Sequence, residues 1–181
     1  NFKNHYILQK GNGIILDDSH EYDYVRWLLD DDVDSVYCQT RKSKKIKTET
    51  ESIASIILKF KKGTIATFVI DYMRPYYERK CHVICENGDL KWNYVPKNGS
   101  WKQYGAKATS SVNSRFLNHK KTKTENFIVR LNDMYLNEID DFINSIIKNK
   151  QPLVNGWDGL KTLKIGLAAL SSSKSGKIVK L

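Results

Sequence analysis

Hydrophobic and polar residues alternate in the middle of the chain in the way that half-buried β-strands require. Apolar side chains fall on every second position of residues 52–60 and again of residues 64–72, with Lys61, Lys62 and Gly63 between the two runs. Two alternating runs joined by a short turn predict an antiparallel hairpin. Apolar residues lie on both of its faces: Ala54, Ile56, Leu58 and Phe60 on one, and Ile53, Ile57, Ile65 and Val69 on the other.

A second hairpin is predicted over residues 80–86 and 89–94, because Asn87 and Gly88 between them suit a two-residue type I′ turn. Pro75 should end the strand before it. Residues 33–41 and 178–181 are expected to form further strands, the latter at a sheet edge. A strand is also expected near residues 127–131, while residues 98–123 show no clear pattern.

Helical spacing marks three other segments. Asp18 is expected to cap the first, with Glu21 completing a capping box. The second begins at Asn132 or Asp133, and the third at Asn155 with Asp158. The predicted apolar faces are Tyr24, Trp27 and Leu28 in the first helix; Tyr135, Ile139, Phe142, Ile143 and Ile146 in the second; and Leu160, Leu163, Leu167 and Leu170 in the third.

Hairpins combined with separate helices predict an α+β fold, a mostly antiparallel open sheet with helices packed on one face. A chain of 181 residues that is 40% hydrophobic can bury the core of a single domain over residues 1–181. The opposite sheet face would then need a cover, which predicts a homo-oligomer formed through that open face.

Composition excludes several classes of protein. No apolar run approaches the ~20 residues of a membrane span, and no leader resembles a signal peptide, so neither a membrane partner nor export is expected. Three cysteines form no disulfide framework, which favours a cytoplasmic location. Cys81, His82 and Cys85 are rejected as a metal site, because on a strand His82 points away from both cysteines. We expect no metal.

The net charge of +10 raises the question of nucleic-acid binding. Much of the charge lies in one run (Arg41, Lys42, Lys44, Lys45 and Lys47) and in residues 97–130, where Glu125 is the one acid. Neither stretch contains a recognisable nucleic-acid motif, so solvated loops are the favoured interpretation and no nucleic-acid partner is expected. The positive potential would nevertheless help to attract an anionic substrate such as a nucleotide-linked sugar.

Asp17 and His20 are the candidates for chemistry, three residues apart at the mouth of the first helix. A helix N-terminus disfavours an imidazolium, so His20 is expected to stay neutral and able to accept a proton. The alternative is that Asp17 and Asp18 only cap the helix and that His20 is a solvated residue of its first turn. Spacing alone does not separate the two interpretations.

Residues 11–28, Gly-x-Gly-Ile-Ile-Leu-Asp-Asp-Ser-His-Glu-x-Asp-x-x-Arg-Trp-Leu, resemble the start of the C-terminal domain of the glucose-fructose oxidoreductase, inositol dehydrogenase and MocA family. Asn12 replaces the usual central glycine. Further segments agree in order: residues 70–75 (Ile-Asp-Tyr-Met-Arg-Pro), 86–92 (Glu-Asn-Gly-Asp-Leu-Lys-Trp), 134–138 (Met-Tyr-Leu-Asn-Glu), and 152–156 with 167–173. The resemblance that we recognise does not extend to residues 97–130.

The resemblance implies an oxidoreductase of a sugar or nucleotide sugar that uses NAD or NADP, with Asp17 and His20 in proton transfer. It implies a preceding Rossmann domain that carries Gly-x-Gly-x-x-Gly and a catalytic lysine. Neither feature occurs in the 181 residues, so this chain alone is expected to bind no cofactor and to be inactive. The competing interpretation is a non-catalytic module that oligomerises or binds a partner after losing its cofactor half.

Three further residues are candidates for substrate binding. Tyr72 and Arg74 follow a predicted strand just before Pro75, and arginine suits bidentate phosphate binding; edge-strand packing is the alternative. Tyr135 lies in the first turn of its helix, where a sugar or anion could meet backbone amides. Its alternative is a core aromatic.

Overall fold

The computed structural model describes residues 13–44, 49–75, 78–96, 104–113, 120–129 and 132–181. Gly11, Asn12, Lys45 and Lys47 of the motifs above lie outside these residues. The elements, in chain order, are α1 (Ile14–Asp17), α2 (His20–Leu29), β1 (Val33–Arg41), β2 (Ile53–Phe60), β3 (Ile65–Asp71), β4 (Arg79–Cys85), β5 (Gly88–Pro96), β6 (Tyr104–Asn113), β7 (Lys120–Val129), α3 (Asp133–Ile147), α4 (Gly156–Ser175) and β8 (Val179–Lys180).

The chain divides into two compact units. Unit 1 combines the residues up to Arg74 with Val154–Leu181, and unit 2 is Pro75–Leu153. Each contains one antiparallel four-stranded sheet, in the order β3-β2-β1-β8 in unit 1 and β4-β5-β6-β7 in unit 2. The predicted α+β class with antiparallel pairing is confirmed, with two sheets where we expected one. None of the described helices has the length and apolar character that crossing a bilayer would take.

The predicted hairpin at residues 52–72 is present in unit 1, with Ile57 of β2 opposite Thr67 of β3. Alternate residues of β2 are buried, as the pattern indicated. The helices of unit 1 pack on this buried face. The resulting core consists of Ile14, Ile15, Tyr22, Val25, Val33, Val36, Cys38, Ala54, Ile56, Leu58, Phe60, Ile70, Ile165, Ala168 and Ala169.

The opposite face of this sheet is open in the described chain. Ile57, Ile65 and Val69 are all exposed there, Ile65 to 66% and Val69 to 63%. We call these three residues the open sheet face. An exposed apolar surface of this kind is what the two-sided pattern of the hairpin predicted.

The start of the first long helix was predicted wrongly. The chain first makes the short helix α1 and turns at Asp18, so α2 begins at His20 with Ser19 as its N-cap and without a side-chain cap hydrogen bond. The Asp18 carbonyl, rather than its carboxylate, accepts the Glu21 amide hydrogen at 3.0 Å. The buried face of α2 also differs from the predicted one. Tyr22, Val25 and Arg26 are buried, whereas Trp27 is exposed.

The predicted core face of α4 was wrong at three of its four leucines, and only Leu170 packs against the core. Leu160, Leu163 and Leu167 are exposed, whereas the buried residues are Thr162, Ile165, Gly166, Ala168, Ala169 and Ser172. The reason is close packing against α1, since a Cβ added at Gly166 would lie 2.9 Å from Leu16 Cδ2. Small side chains let the two helices approach, so the largest apolar residues of α4 do not mark its contact face.

Two serines of α4 complete the hydrogen bonding of β1 where β8 ends. β8 pairs with β1 only at Ser35 and Val36. Beyond that point the Cys38 amide donates to Ser172 Oγ at 3.0 Å, and Thr40 Oγ1 lies 2.5 Å from Ser173 Oγ. Ser172 in turn donates to the Lys177 carbonyl at 2.7 Å. Ser172 and Ser173 therefore protect the part of the β1 edge that a longer β8 would have covered.

Unit 2 contains the second predicted hairpin, β4 and β5, but Cys85 lies opposite Gly88, so the turn residues are Glu86 and Asn87. The type I′ turn predicted at Asn87 and Gly88 was wrong, because neither residue has a positive φ. The strand expected near residues 127–131 is β7, and residues that showed no pattern contribute β6. Helix α3 begins at Asp133 as expected, but its apolar stripe is exposed in the described chain rather than buried. Periodicity identifies an apolar helix face. It does not show whether that face packs against other residues of this chain or against another protein surface.

Candidate functional site

The predicted site lies at the junction of α1 and α2, and the short helix α1 is held from several sides. At its start, the Ile15 amide donates to Glu51 Oε1 at 3.3 Å, and the Ile14 amide donates to the Glu51 carbonyl at 3.4 Å. A Cβ at position 13 would lie 2.0 Å from that Glu51 oxygen, so a larger residue would displace the Glu51 side chain. In the middle, the buried Tyr22 hydroxyl donates to the Ile15 carbonyl at 3.0 Å.

Asp17, the last residue of α1, is thereby presented at a fixed position. Its amide donates to the Gly13 carbonyl at 3.0 Å. Its carboxylate accepts a hydrogen bond from the Tyr72 hydroxyl, with 2.7 Å between Oη and Oδ2. Two residues predicted separately, 55 positions apart in sequence, are thus brought into direct contact.

His20 begins α2 and its side chain is 55% exposed. Its Nε2 lies 3.2 Å from Glu21 Oε1 and 3.9 Å from Asp18 Oδ1. The ring is therefore accessible and next to two carboxylates, which attract positive charge, whereas the helix N-terminus repels it. Such a group can take up and release a proton.

Arg74 lies just beyond β3, where Asp71 organises the turn. Asp71 Oδ1 accepts from the amides of Met73 and Arg74, each at 2.9 Å, and Asp71 Oδ2 accepts from Arg74 Nε at 2.9 Å. Arg74 is thus oriented by a carboxylate of its own turn. Tyr135, the remaining candidate, lies in the first turn of α3 in unit 2 and is 57% exposed.

A charged cluster behind α2 was missed at the sequence level. The Arg26 side chain is buried between α2 and α4, where its guanidinium donates to Asp32 Oδ1 at 3.2 Å and to Thr162 Oγ1 at 3.3 Å. Its terminal nitrogens also lie within 3.7 Å of the Asp23 and Asp158 carboxylates. The sequence around Arg26 did not indicate that its side chain is buried. Charged residues are rarely buried unless they are paired, and the partners of Arg26 could not be identified from its neighbours in the sequence.

Environment shifts the pKa values of three groups in unit 1. A hydrogen bond from Lys161, aided by Arg26, lowers the pKa of Asp32. Burial raises the pKa of the Cys38 thiol to about 11 and also raises the pKa of Tyr22. Cys38 and Tyr22 therefore stay neutral at physiological pH and serve packing and hydrogen bonding rather than proton transfer.

The described residues contain no cluster of three or more His, Cys, Asp or Glu side chains that could hold a metal ion. His82 bonds instead to Asp89, with 3.0 Å between Nε2 and Oδ2. The groups at the junction of α1 and α2 that could accept a proton are the fixed carboxylate of Asp17 and the accessible imidazole of His20.

Residues 7–181 match the sequence model of the "Oxidoreductase family, C-terminal alpha/beta domain" that is named for glucose-fructose oxidoreductase, inositol dehydrogenase and MocA. The inositol 2-dehydrogenase of Serratia proteamaculans is 30% identical over 163 residues, which cover 88% of this chain and 44% of that protein. The chain spans about half the length of the curated relatives it matches.

Solved structures show the same fold. The aldose-aldose oxidoreductase of Caulobacter crescentus, crystallised with glycerol, superposes with a TM-score of 0.77 at 19% identity, covering 100% of this chain and 52% of that one. An oxidoreductase of Agrobacterium radiobacter in complex with NAD+, L-tartaric acid and magnesium superposes with a TM-score of 0.68 at 18% identity, covering 99% of this chain and 52% of that one.

Proposed function

The chain belongs to the Gfo/Idh/MocA oxidoreductase family, as its C-terminal alpha/beta domain, and from this premise we propose that it is the substrate-binding and dimerisation domain of an NAD(P)-dependent enzyme. The substrate class we propose is a sugar, a nucleotide sugar or a cyclic polyol, the last because the matched curated relatives are inositol dehydrogenases.

The observation that carries this proposal is the geometry at the junction of α1 and α2. The Asp17 carboxylate is fixed by the Tyr72 hydroxyl, and the accessible His20 lies three positions further along the chain. Oxidation of a secondary alcohol needs a group that accepts the hydroxyl proton and a group that orients the hydroxyl. Asp17 and His20 provide one group of each kind, and Arg74 would add a positive charge for an anionic substrate.

The dinucleotide itself does not fit the residues of this chain. None of the 181 residues forms a Gly-x-Gly-x-x-Gly loop, whose backbone amides cradle the pyrophosphate in dinucleotide-binding domains. When bound, the nicotinamide supplies the hydride acceptor. We therefore assign cofactor binding to a preceding domain, and to this chain the binding of the substrate and the handling of its proton.

The direct test is turnover by the full-length protein. We expect reduction of NAD+ or NADP+, followed by the absorbance of the reduced nicotinamide, with at least one of three probes: myo-inositol, an aldohexose or a UDP-hexose. His20→Ala protein, shown to be folded by circular dichroism, is the control for adventitious activity. If none of the three probes is oxidised with either cofactor, the catalytic proposal fails.

The second candidate function is a non-catalytic module that acts by assembly. The open sheet face favours it, because Ile57, Ile65 and Val69 are exposed together on one surface. A full-length protein that oligomerises through this face but neither binds NAD(P)+ nor turns over any probe would support the second candidate.

A further inference from the structure

The Tyr72 hydroxyl donates its single hydrogen bond to Asp17. A phenol has a single O–H donor, and in this structure that donor bonds to Asp17 Oδ2 at 2.7 Å. The same hydroxyl therefore does not donate to a substrate in this arrangement. This differs from the direct substrate contact expected for Tyr72 from its place at the end of a strand.

The Tyr72 side chain is itself well anchored. Its amide donates to the Ser52 carbonyl at 3.0 Å, directly after the last residue of β3, and its ring packs against the core of unit 1. Tyrosine has few rotatable bonds, so a ring anchored at its base places the hydroxyl with little freedom. The hydroxyl is consequently a fixed reference point on the sheet.

Asp17 needs such a reference point. The backbone of α1 is held by Glu51 and by the Tyr22 hydroxyl, but these backbone bonds do not set the terminal torsion of the Asp17 side chain, which is broad in aspartate. A hydrogen bond to one carboxylate oxygen fixes that plane. Hydrogen bonds to a charged acceptor are also the stronger kind.

We propose that Tyr72 is a positioning residue, which orients the Asp17 carboxylate toward the substrate through the hydroxyl bond and does not bind the substrate itself. The inference rests on the proposed function, in which Asp17 takes part in handling the proton of the substrate. It assigns a positioning role to Tyr72, which follows β3, alongside Asp17 of α1 and His20 of α2. Misplacement of a reacting group by about 1 Å can cost ~10²-fold in rate.

The test is a double-mutant cycle in the full-length protein, using whichever of myo-inositol, the aldohexose or the UDP-hexose the unsubstituted protein oxidises. Tyr72→Phe removes the hydroxyl and keeps the ring, and Asp17→Ala removes the acceptor. We expect Tyr72→Phe to lower kcat at least about tenfold with little change in KM, and to cause no further loss in the Asp17→Ala background, since its effect passes through Asp17.

Tyr37→Phe is the matched control. It deletes a hydroxyl that accepts a hydrogen bond from Gln39 Nε2 at 2.8 Å in the same unit, and its kcat should stay unchanged. The inference is overturned if Tyr72→Phe keeps the unsubstituted kcat, if it raises KM alone, or if it costs the same factor in both backgrounds. The proposed function fails separately, through absent turnover by the unsubstituted protein or through unchanged turnover by Asp17→Ala.

Discussion

His20 stands where two electrostatic effects oppose each other. The N-terminus of α2 disfavours a positive ring, while Glu21 and Asp18 lie 3.2 and 3.9 Å from its Nε2 and favour one. In the proposed function, this imidazole accepts the proton of the substrate hydroxyl. Its accessibility, 55% of the side chain, leaves room for a substrate hydroxyl.

Replacing His20 should therefore impair catalysis and leave cofactor binding intact. In the full-length protein we expect His20→Ala to lower kcat by ~10²–10⁴-fold, the usual loss on removing a positioned base. The KM for NAD(P)+ should not change, because the proposed function assigns the dinucleotide to a preceding domain. Steady-state kinetics with both substrates varied would measure the two effects.

Asp17→Asn and Asp18→Asn are the companion variants. Asp17→Asn should lower kcat as well, through the loss of the charged group that Tyr72 holds. Asp18→Asn should do less, since Asp18 contacts His20 only at 3.9 Å. Unchanged kcat in folded His20→Ala protein would instead make His20 a solvated residue of the first helical turn.

The sequence identified these residues unevenly, for a physical reason. Asp17 and His20 could be found because they are neighbours in the chain and precede an amphipathic helix. The contact of Asp17 with Tyr72 depends on how α1 packs against the end of β3, across 55 residues. Glu51 at the start of α1 and the buried Arg26 were missed for the same reason, since their partners come from other elements.

At the scale of elements, α4 is linked to β1 by the Ser172 side chain, which accepts a backbone hydrogen bond that a neighbouring strand would otherwise accept. Ser172 is fully buried, accepts from the Cys38 amide and donates to the Lys177 carbonyl. Ser172→Ala leaves that amide without its partner, which should lower the free energy of unfolding by ~1–3 kcal/mol. Urea denaturation would measure the loss.

Ser171→Ala is the control for this substitution. Ser171 is exposed on the same helix, and its carbonyl, which accepts from Ser175, is retained in alanine. Its stability should remain within ~0.5 kcal/mol of the unsubstituted protein. Equal losses for the two variants would show that the loss does not pass through the Cys38 bond, since alanine is the better helix former.

The charged cluster between α2 and α4 should make stability depend on pH. Lys161 and Arg26 hold the pKa of Asp32 below its ordinary value in the folded state. A lowered pKa contributes stability above the unfolded-state pKa of ~3.9, and this contribution is lost as the pH falls through the lower folded value. Urea denaturation from neutral pH to about pH 2 should show the decline, and Asp32→Asn should reduce it.

Asp30→Asn is the matched change of charge for that experiment. Asp30 ends α2 in the left-handed region, at a φ of 44°, which asparagine tolerates. The acid decline of this variant should match that of the unsubstituted protein. A decline in Asp32→Asn as steep as in Asp30→Asn would assign the pH dependence to other carboxylates.

The elements themselves were largely predictable, but their buried faces were not. The strands that carry alternating patterns followed from local chemistry, and both hairpins are present, although the turn predicted at Asn87 and Gly88 falls one residue earlier. The contact face of α4 did not follow, because close approach to α1 selects Gly166 and alanines over leucines. Hydrophobicity reports which residues avoid water, whereas close packing also selects for small size.

Self-association is the prediction that concerns the assembled protein. The open sheet face should be covered by a second copy, so sedimentation equilibrium at micromolar concentration should show a dimer or a larger species. Ile65→Asp, at a position that is 66% exposed, should shift the population toward monomer. Stable interfaces usually bury over ~1,200 Å², which desolvates such a charge.

Ile84→Asp on β4 is the control for that substitution, since Ile84 is 77% exposed but belongs to the other sheet, in unit 2. It should leave the association unchanged. A monomer at all concentrations in the unsubstituted protein, or equal effects of the two aspartates, would contradict assembly through the open sheet face.

The 181-residue chain on its own should bind neither NAD(P)+ nor its reduced form, since it has no glycine loop for the pyrophosphate. Titration calorimetry with the oxidised and reduced forms of both dinucleotides should give no heat of binding, and the full-length protein is the positive control. Micromolar affinity in the isolated chain would place cofactor contacts in this domain.

The division of unit 1 into two chain segments has a consequence for biosynthesis. The strands β1, β2 and β3 leave the ribosome early, but α4, the helix that packs against β1, belongs to residues 154–181. At ~5–20 residues per second, translation of the intervening residues 75–153 takes roughly 4–16 s. Throughout that time the nascent sheet has α1 and α2 but lacks α4 and the edge strand β8, so chaperones have their longest opportunity to bind there, and unit 2 can fold before unit 1.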